Sequence, residues 1–173
     1  MPHALNLTIP IKQDEPTKAK LAQIAADFPT KYQPKIDAAL RKSKLVHSAR
    51  VLNVHGKFLQ VITVYDGDHK AYTEFFRTEL PDVFAALFSL ADAPAFDSLN
   101  SDSFYELAKH LNLPSLGETT LGETDDQGKP EGYLFSAYDR KTVDDILKNF
   151  CQIARRHLTA LSTQSRGVRI SRH

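Results

Sequence analysis

The chain has 173 residues, of which 42% are hydrophobic and 25% charged, and a formal net charge of +1. That is the size of one domain, or of one domain with an elaboration, with enough apolar material for a core; the near-neutral balance argues against a dedicated nucleic-acid binder. A single cysteine, Cys151, excludes an intramolecular disulfide and a metal site closed by cysteines.

The opening residues, MPHALNLTIPIKQDE, lack the basic segment and apolar run of a signal peptide. No stretch approaches the roughly 18 apolar residues of a membrane span. A cytoplasmic protein without membrane or nucleic-acid partners is the expectation.

Leu5, Leu7, Ile9 and Ile11 alternate with other residues, the period of a half-buried strand over Leu5–Ile11. Pro10 places its end at a sheet edge or leaving the sheet. Leu21, Ile24, Ala25 and Phe28 form a helical stripe with Pro16 in the first turn and Pro29 as terminator. Thr30-Lys31-Tyr32-Gln33 reads as a capping box before a second stripe, Tyr32, Ile36, Ala39 and Leu40. VHSARVLNVHGKFLQVITVY then reads as two strands, Val46–Val54 and Lys57–Tyr65, joined at His55-Gly56. Asp66-Gly67-Asp68 offers a turn and a helix cap, ahead of Tyr72, Phe75, Phe76 and Leu80. Pro81 opens a segment carrying Val83, Phe84, Leu87 and Phe88.

Ser103 and Glu106 suggest a capping box before Phe104, Leu107, Ala108 and Leu111. A polar loop spans Asn112–Glu131, and its two LGET segments are too short to be a structural repeat. Tyr133–Tyr138 reads as a short aromatic strand. Asp139 or Thr142 caps a last helix with the stripe Val143, Ile146, Leu147, Phe150, Ala154, His157 and Leu161. The tail, 163–173, is basic.

Setting aside residues 92–132 as an inserted helix and loop, the order is βαββαβ with a further C-terminal helix. The expectation is a single ferredoxin-like α+β domain over 1–173, an antiparallel sheet with helices on one face. The other face carries Ile, Val and Phe among polar residues, which predicts a sheet-to-sheet homodimer.

The run Val46-His47-Ser48-Ala49-Arg50, followed by an apolar strand, Val64-Tyr65-Asp66-Gly67 and a helix, resembles a ferredoxin-like module of poorly characterised bacterial proteins. In that module a His-x-x-Arg strand precedes a strand ending in Tyr-Asp-Gly. The resemblance covers about Leu5 to Leu90 and implies the fold and dimerisation as an α+β barrel. Dye-decolorising peroxidases and small cofactor-independent monooxygenases share this architecture, but the peroxidases' Gly-x-x-Asp-Gly signature is absent. Fold analogy alone does not establish chemistry.

Arg50 is the leading candidate for a functional side chain. A two-residue turn at His55-Gly56 pairs Leu52 with Leu59, Arg50 with Val61, Ser48 with Thr63 and Val46 with Tyr65, on one face. Arg50, Ser48, Thr63 and Tyr65 then offer one cation, two hydroxyls and an aromatic wall for a small anionic ligand. The commoner role of such an arginine is a structural ion pair or a solvated position. His47, three residues before Arg50, points to the opposite face in regular geometry and reads as a neutral sheet histidine, with haem ligation the alternative.

The seven histidines show neither HxH nor HxxxH spacing, so no metal site is signalled. Asp66, Asp68 and Asp139 are explained by capping, Tyr65 and Tyr138 by core packing, and Cys151 by burial. Gly117, Gly122 and Gly128 lack the strand–helix context of a phosphate loop. The arginines at 155, 156, 166, 169 and 172 and the acidic 112–131 loop read as solvated surface or as intermolecular contacts.

No motif names a reaction or a cofactor. A dimeric protein binding a small anionic ligand is the first reading. The alternatives are an oxidoreductase of the α+β-barrel type, peroxidase- or monooxygenase-like and haem-dependent in one version, and a protein-interaction module.

Overall fold

The structure, a computed structural model, describes residues 2–117, 132–138, 141–150 and 152. The acidic loop from 118, Asp139, Cys151 and the basic tail lie outside the described residues. Three strands, β1 (Pro2–Pro10), β2 (Val46–Val54) and β3 (Phe58–Asp66), form one antiparallel sheet in the order β1-β3-β2. The helices are α1 (Glu15–Asp27), α2 (Gln33–Ser43), α3 (His69–Glu79), α4 (Pro81–Phe88) and α5 (Ser101–Leu111). Residues 143–150 form a further helix. Among the described residues no helix is long and apolar enough to cross a membrane.

The period-two pattern of β1 does what it predicts. Leu5, Leu7, Ile9 and Ile11 are all buried. On β3 the same face carries Leu59, Val61, Thr63 and Tyr65, and on β2 it carries Ala49 and Val51. The helices cover it with Ile24, Tyr72, Phe76, Leu80, Val83 and Leu87, all buried. Burying a large apolar side chain contributes about 1.5–3 kcal/mol, so this layer is the chief source of stability.

The opposite, open face presents Asn6 and Thr8 from β1, Ser48, Arg50, Leu52 and Val54 from β2, and Phe58, Gln60, Ile62 and Val64 from β3. None of these is fully buried, and Phe58 is 41% exposed.

Several local readings need correction. Pro29 does not end the first helix. A π-helical turn, Phe28–Tyr32, carries α1 into α2, with Gln33 N–H donating to Phe28 O. The wider turn spaces the missing donors of Pro29 and Pro34 without a break, and no Thr30 capping box forms. Asn100, not Ser103, caps α5: its Oδ1 accepts from Ser103 N–H at 2.9 Å. Asp68 caps α3 through Ala71 N–H at 2.8 Å, as its position after the turn suggests.

The hairpin register is one residue away from the two-residue-turn expectation. Residues 55–57 all lie in the turn, His55 and Gly56 are left-handed at φ 54° and 68°, and Val54 faces Phe58. Arg50 therefore faces Ile62 rather than Val61, and Ala49 rather than Ser48 faces Thr63. A one-residue slip exchanges the two faces of a strand.

Tyr133–Tyr138 does not join the sheet; residues 132–136 are irregular and 137–138 form a turn. The outer edge of β1, which a fourth strand would pair, is taken by the residues after α5. Leu113 N–H donates to Asn6 O, Asn6 N–H donates to Asn112 Oδ1 at 2.8 Å, and Asn6 Nδ2 donates to Leu113 O at 2.9 Å. Those bonds satisfy strand groups that would otherwise seek a partner. Nor is α5 an appendage. Phe104 and Ala108 belong to the main core, and Phe104 meets Phe96 edge-on with ring centroids 5.6 Å apart.

Candidate functional site

The open face ends in a pocket of about 410 Å³. Its floor is Val64 of β3 with His47 and Ser48 of β2, and its wall is residues 134–138 together with Val143, Ile146 and Leu147. The helix at 143–150 is started by a reciprocal cap: Thr142 N–H donates to Asp145 Oδ2 at 3.1 Å, and Asp145 N–H donates to Thr142 Oγ1 at 3.1 Å. This agrees with the Thr142 reading. The size lies within the roughly 300–1,000 Å³ of ligand pockets, and a largely apolar lining with a few polar groups is their usual chemistry.

A β-bulge supplies the polar floor. Val46 faces Tyr65 and Ser48 faces Val64, so His47 is the extra residue on β2. Bulges re-aim a side chain relative to the regular strand. His47 Nε2 lies 3.1 Å from Asp66 Oδ2, with the two side chains 17% and 8% exposed. The contact is within ion-pair distance but not aligned as a hydrogen bond, since His47 Nε2 and Asp66 Oδ1 are both buried without a hydrogen-bond partner. Asp66 Oδ2 also accepts the backbone N–H of Val143 at 2.7 Å. Asp66 thus caps the helix at 143–150 across 77 positions of chain, not the helix that directly follows it. A carboxylate oxygen and an imidazole nitrogen buried without a hydrogen bond beside the pocket floor are costly to the fold.

Ser48 lines this pocket and Arg50 stands two residues along the same face, about 6.6 Å away at the usual strand rise. Both are exposed. Among the described residues Arg50 has no ion-pair partner. Thr63 and Tyr65 are on the other face, buried beneath α3. The four residues expected to share one face are therefore split two and two, because the register slips by one.

No family model, curated protein or solved structure matches the chain.

On the buried side, Tyr72 stacks on Tyr65 with ring centroids 3.7 Å apart, and its hydroxyl donates to Thr63 Oγ1 at 2.9 Å. Burial pushes the Tyr72 hydroxyl up to about 12, partly offset by the bond to Thr63. Tyr65 hydrogen-bonds through its hydroxyl to His69 Nδ1, and the His3 ring lies 5.1 Å from the His69 ring. This is an aromatic column running from the core to the end of the sheet.

Neither region is built for haem or a metal cluster. The Nε2 of His47, the usual iron-binding nitrogen, faces Asp66 instead of the pocket, so the residues present do not fit an axial ligand there. Among the described residues no group of three His, Cys, Asp or Glu side chains could hold a metal ion.

The His47–Asp66 contact was not legible as a site. Its two residues stand on adjacent strands and only the bulge brings them together. A bulge changes one step in a hydrophobic alternation that was already mixed on both faces. The wall residues 134–138, 143, 146 and 147 read in sequence as a strand and a helix, with nothing to say which face they cover.

Proposed function

We propose that this protein binds a small anionic molecule with an apolar body at the open sheet face. The apolar part fills the pocket between Val64 and Ser48 on the sheet and Phe135, Tyr138, Ile146 and Leu147 opposite. The anionic group reaches Arg50 at the pocket's edge. The observation that carries this reading is the pairing of a pocket of about 410 Å³ with an exposed arginine two residues from its floor. A guanidinium grips a carboxylate through two parallel hydrogen bonds. Asp66, being acidic, disfavours an anion at the His47 end of the pocket and leaves that end to the ligand's neutral part.

The fold reading that goes with it is a ferredoxin-like domain acting as a homodimer. The order β1-β3-β2 is that of the first three strands of a ferredoxin-like sheet, with the Asn112–Leu113 edge in place of the fourth. Leu52, Val54, Phe58 and Ile62 on the open face favour cover by a second copy. The second copy then covers the part of the open face that lies beyond the pocket.

Calorimetric titration with octanoate and phenylacetate tests the binding. Loss of one charge-assisted contact is worth about 1.5–3 kcal/mol, so Arg50→Met is expected to weaken binding about 10- to 150-fold and to leave the melting temperature nearly unchanged. Phenylacetamide, which lacks the charge, should bind the native protein as weakly as phenylacetate binds the variant. Equal affinity of native protein and variant for the carboxylates rejects the assignment of Arg50. A large loss of stability in the variant makes Arg50 part of the scaffold.

A further inference from the structure

A second cavity lies on the buried side of the sheet, of about 60 Å³. That is several times the roughly 10–15 Å³ that one water requires. Leu7, Val51 and Val61 form its sheet wall, with Phe76, Leu80 and Val83 opposite. Thr63, Tyr72 and Thr73 also line it, and each already has a partner. The Tyr72 hydroxyl donates to Thr63 Oγ1 at 2.9 Å, and Thr73 Oγ1 donates to Lys70 O at 3.0 Å. Ordered water needs two to four polar partners, and an apolar cavity without them stays dry and takes apolar guests.

The roof is α2, which contributes Ile36 and Leu40, both only partly buried. Ala39 is the one fully buried residue of this helix. A groove of about 460 Å³ runs between α2 and the α3–α4 junction, and Leu80 and Val83 line both groove and cavity. Two ion pairs cross the groove: Lys35 Nζ to Asp82 Oδ2 at 2.5 Å and Lys42 Nζ to Glu79 Oε1 at 2.7 Å. Exposed pairs of this kind contribute about 0–1 kcal/mol each and weaken with salt. At its start α2 meets the π-helical turn Phe28–Tyr32, a feature that recurs at functional sites in helices.

We infer that the cavity beneath α2 is a binding site for a small apolar molecule, reached by displacement of α2 against its two ion pairs. The site is distinct from the open-face pocket: the sheet separates them, and the guest here carries no charge. Thr63, expected as a ligand residue on one face with Arg50, serves here as part of a satisfied wall.

Xenon is the probe, followed by backbone amide NMR of the full chain. Under xenon, saturable shifts are expected at Val51, Val61, Phe76 and Leu80, with little change at Ser48 and Arg50. Ala49→Leu fills the space and should abolish them. Val61→Ile adds a single methylene and should weaken the response if the larger replacement fails to fold. Replacing Lys35 and Lys42 together by Ala, or raising the salt, should speed xenon exchange several-fold. Absent shifts, or shifts scattered over the surface, overturn the site. An exchange rate indifferent to both the double substitution and salt overturns the access route.

Discussion

Tyr72 shows most clearly how a single side chain is held by its surroundings. Its hydroxyl is buried, bonded to Thr63 and pushed up to about 12, chiefly because burial disfavours the phenolate. The sign of the linkage follows. Below pH 10, its ordinary value, the group is neutral folded and unfolded, and its contribution is full. Between about 10 and 12 only the unfolded chain ionises, so stability falls as pH rises through that window. Tyr72→Phe should cost about 1–3 kcal/mol at pH 8, because the Thr63 hydroxyl loses its partner. Urea unfolding at pH 8 and pH 11 checks this: the native protein should lose part of its advantage over the variant at the higher pH. An unchanged difference would mean that the Tyr72 hydroxyl is not buried as described. His47 and Asp66 are the contrasting case, a buried pair whose Nε2 and Oδ1 make no hydrogen bond.

At the scale of elements, the turn at residues 55–57 decides which side chains reach which face. His55 and Gly56 both adopt left-handed backbone, and the space around a side-chain carbon added at Gly56 is open. The cost of Gly56→Ala is therefore conformational alone, about 1–2 kcal/mol, measurable as a shift in the denaturant midpoint. A variant as stable as the native chain would contradict the turn geometry. The hairpin itself was legible, since HG between two β-rich runs signals a turn. Its length was not, because Lys57 can end the turn or begin the strand on sequence grounds alone. That one residue separated Arg50 and Ser48 from Thr63 and Tyr65. The stripes of α3, α4 and α5 were readable because helical periodicity is carried by many residues at once. Tyr133–Tyr138 misleads for the opposite reason. Six aromatic-rich residues fit a strand locally, and only the capture of the β1 edge at Asn6 by Asn112 and Leu113 shows that the strand has no place to pair.

For the whole molecule, the contrast between the two sheet faces is the governing fact. One is sealed by five helices. The other is half-exposed, mixed in chemistry, and walled at one end by residues 134–138 with Val143, Ile146 and Leu147. A second copy on the remaining area would cover Leu52, Phe58 and Ile62, and a stable contact requires about 1,000 Å² or more of buried surface. Light scattering at micromolar concentration should give twice the chain mass, and Ile62→Lys should return it to the single-chain value. A native protein that is monomeric at those concentrations would remove the dimer from the account without touching the pocket.

The most direct measurement of the central claim is an amide NMR titration of the full chain with phenylacetate. Binding at the open-face pocket predicts saturable shifts at Ser48, Arg50, Val64, Phe135 and Ile146, lost in Arg50→Met. Shifts confined to residues beneath α2, or no saturable shifts at all, would contradict it.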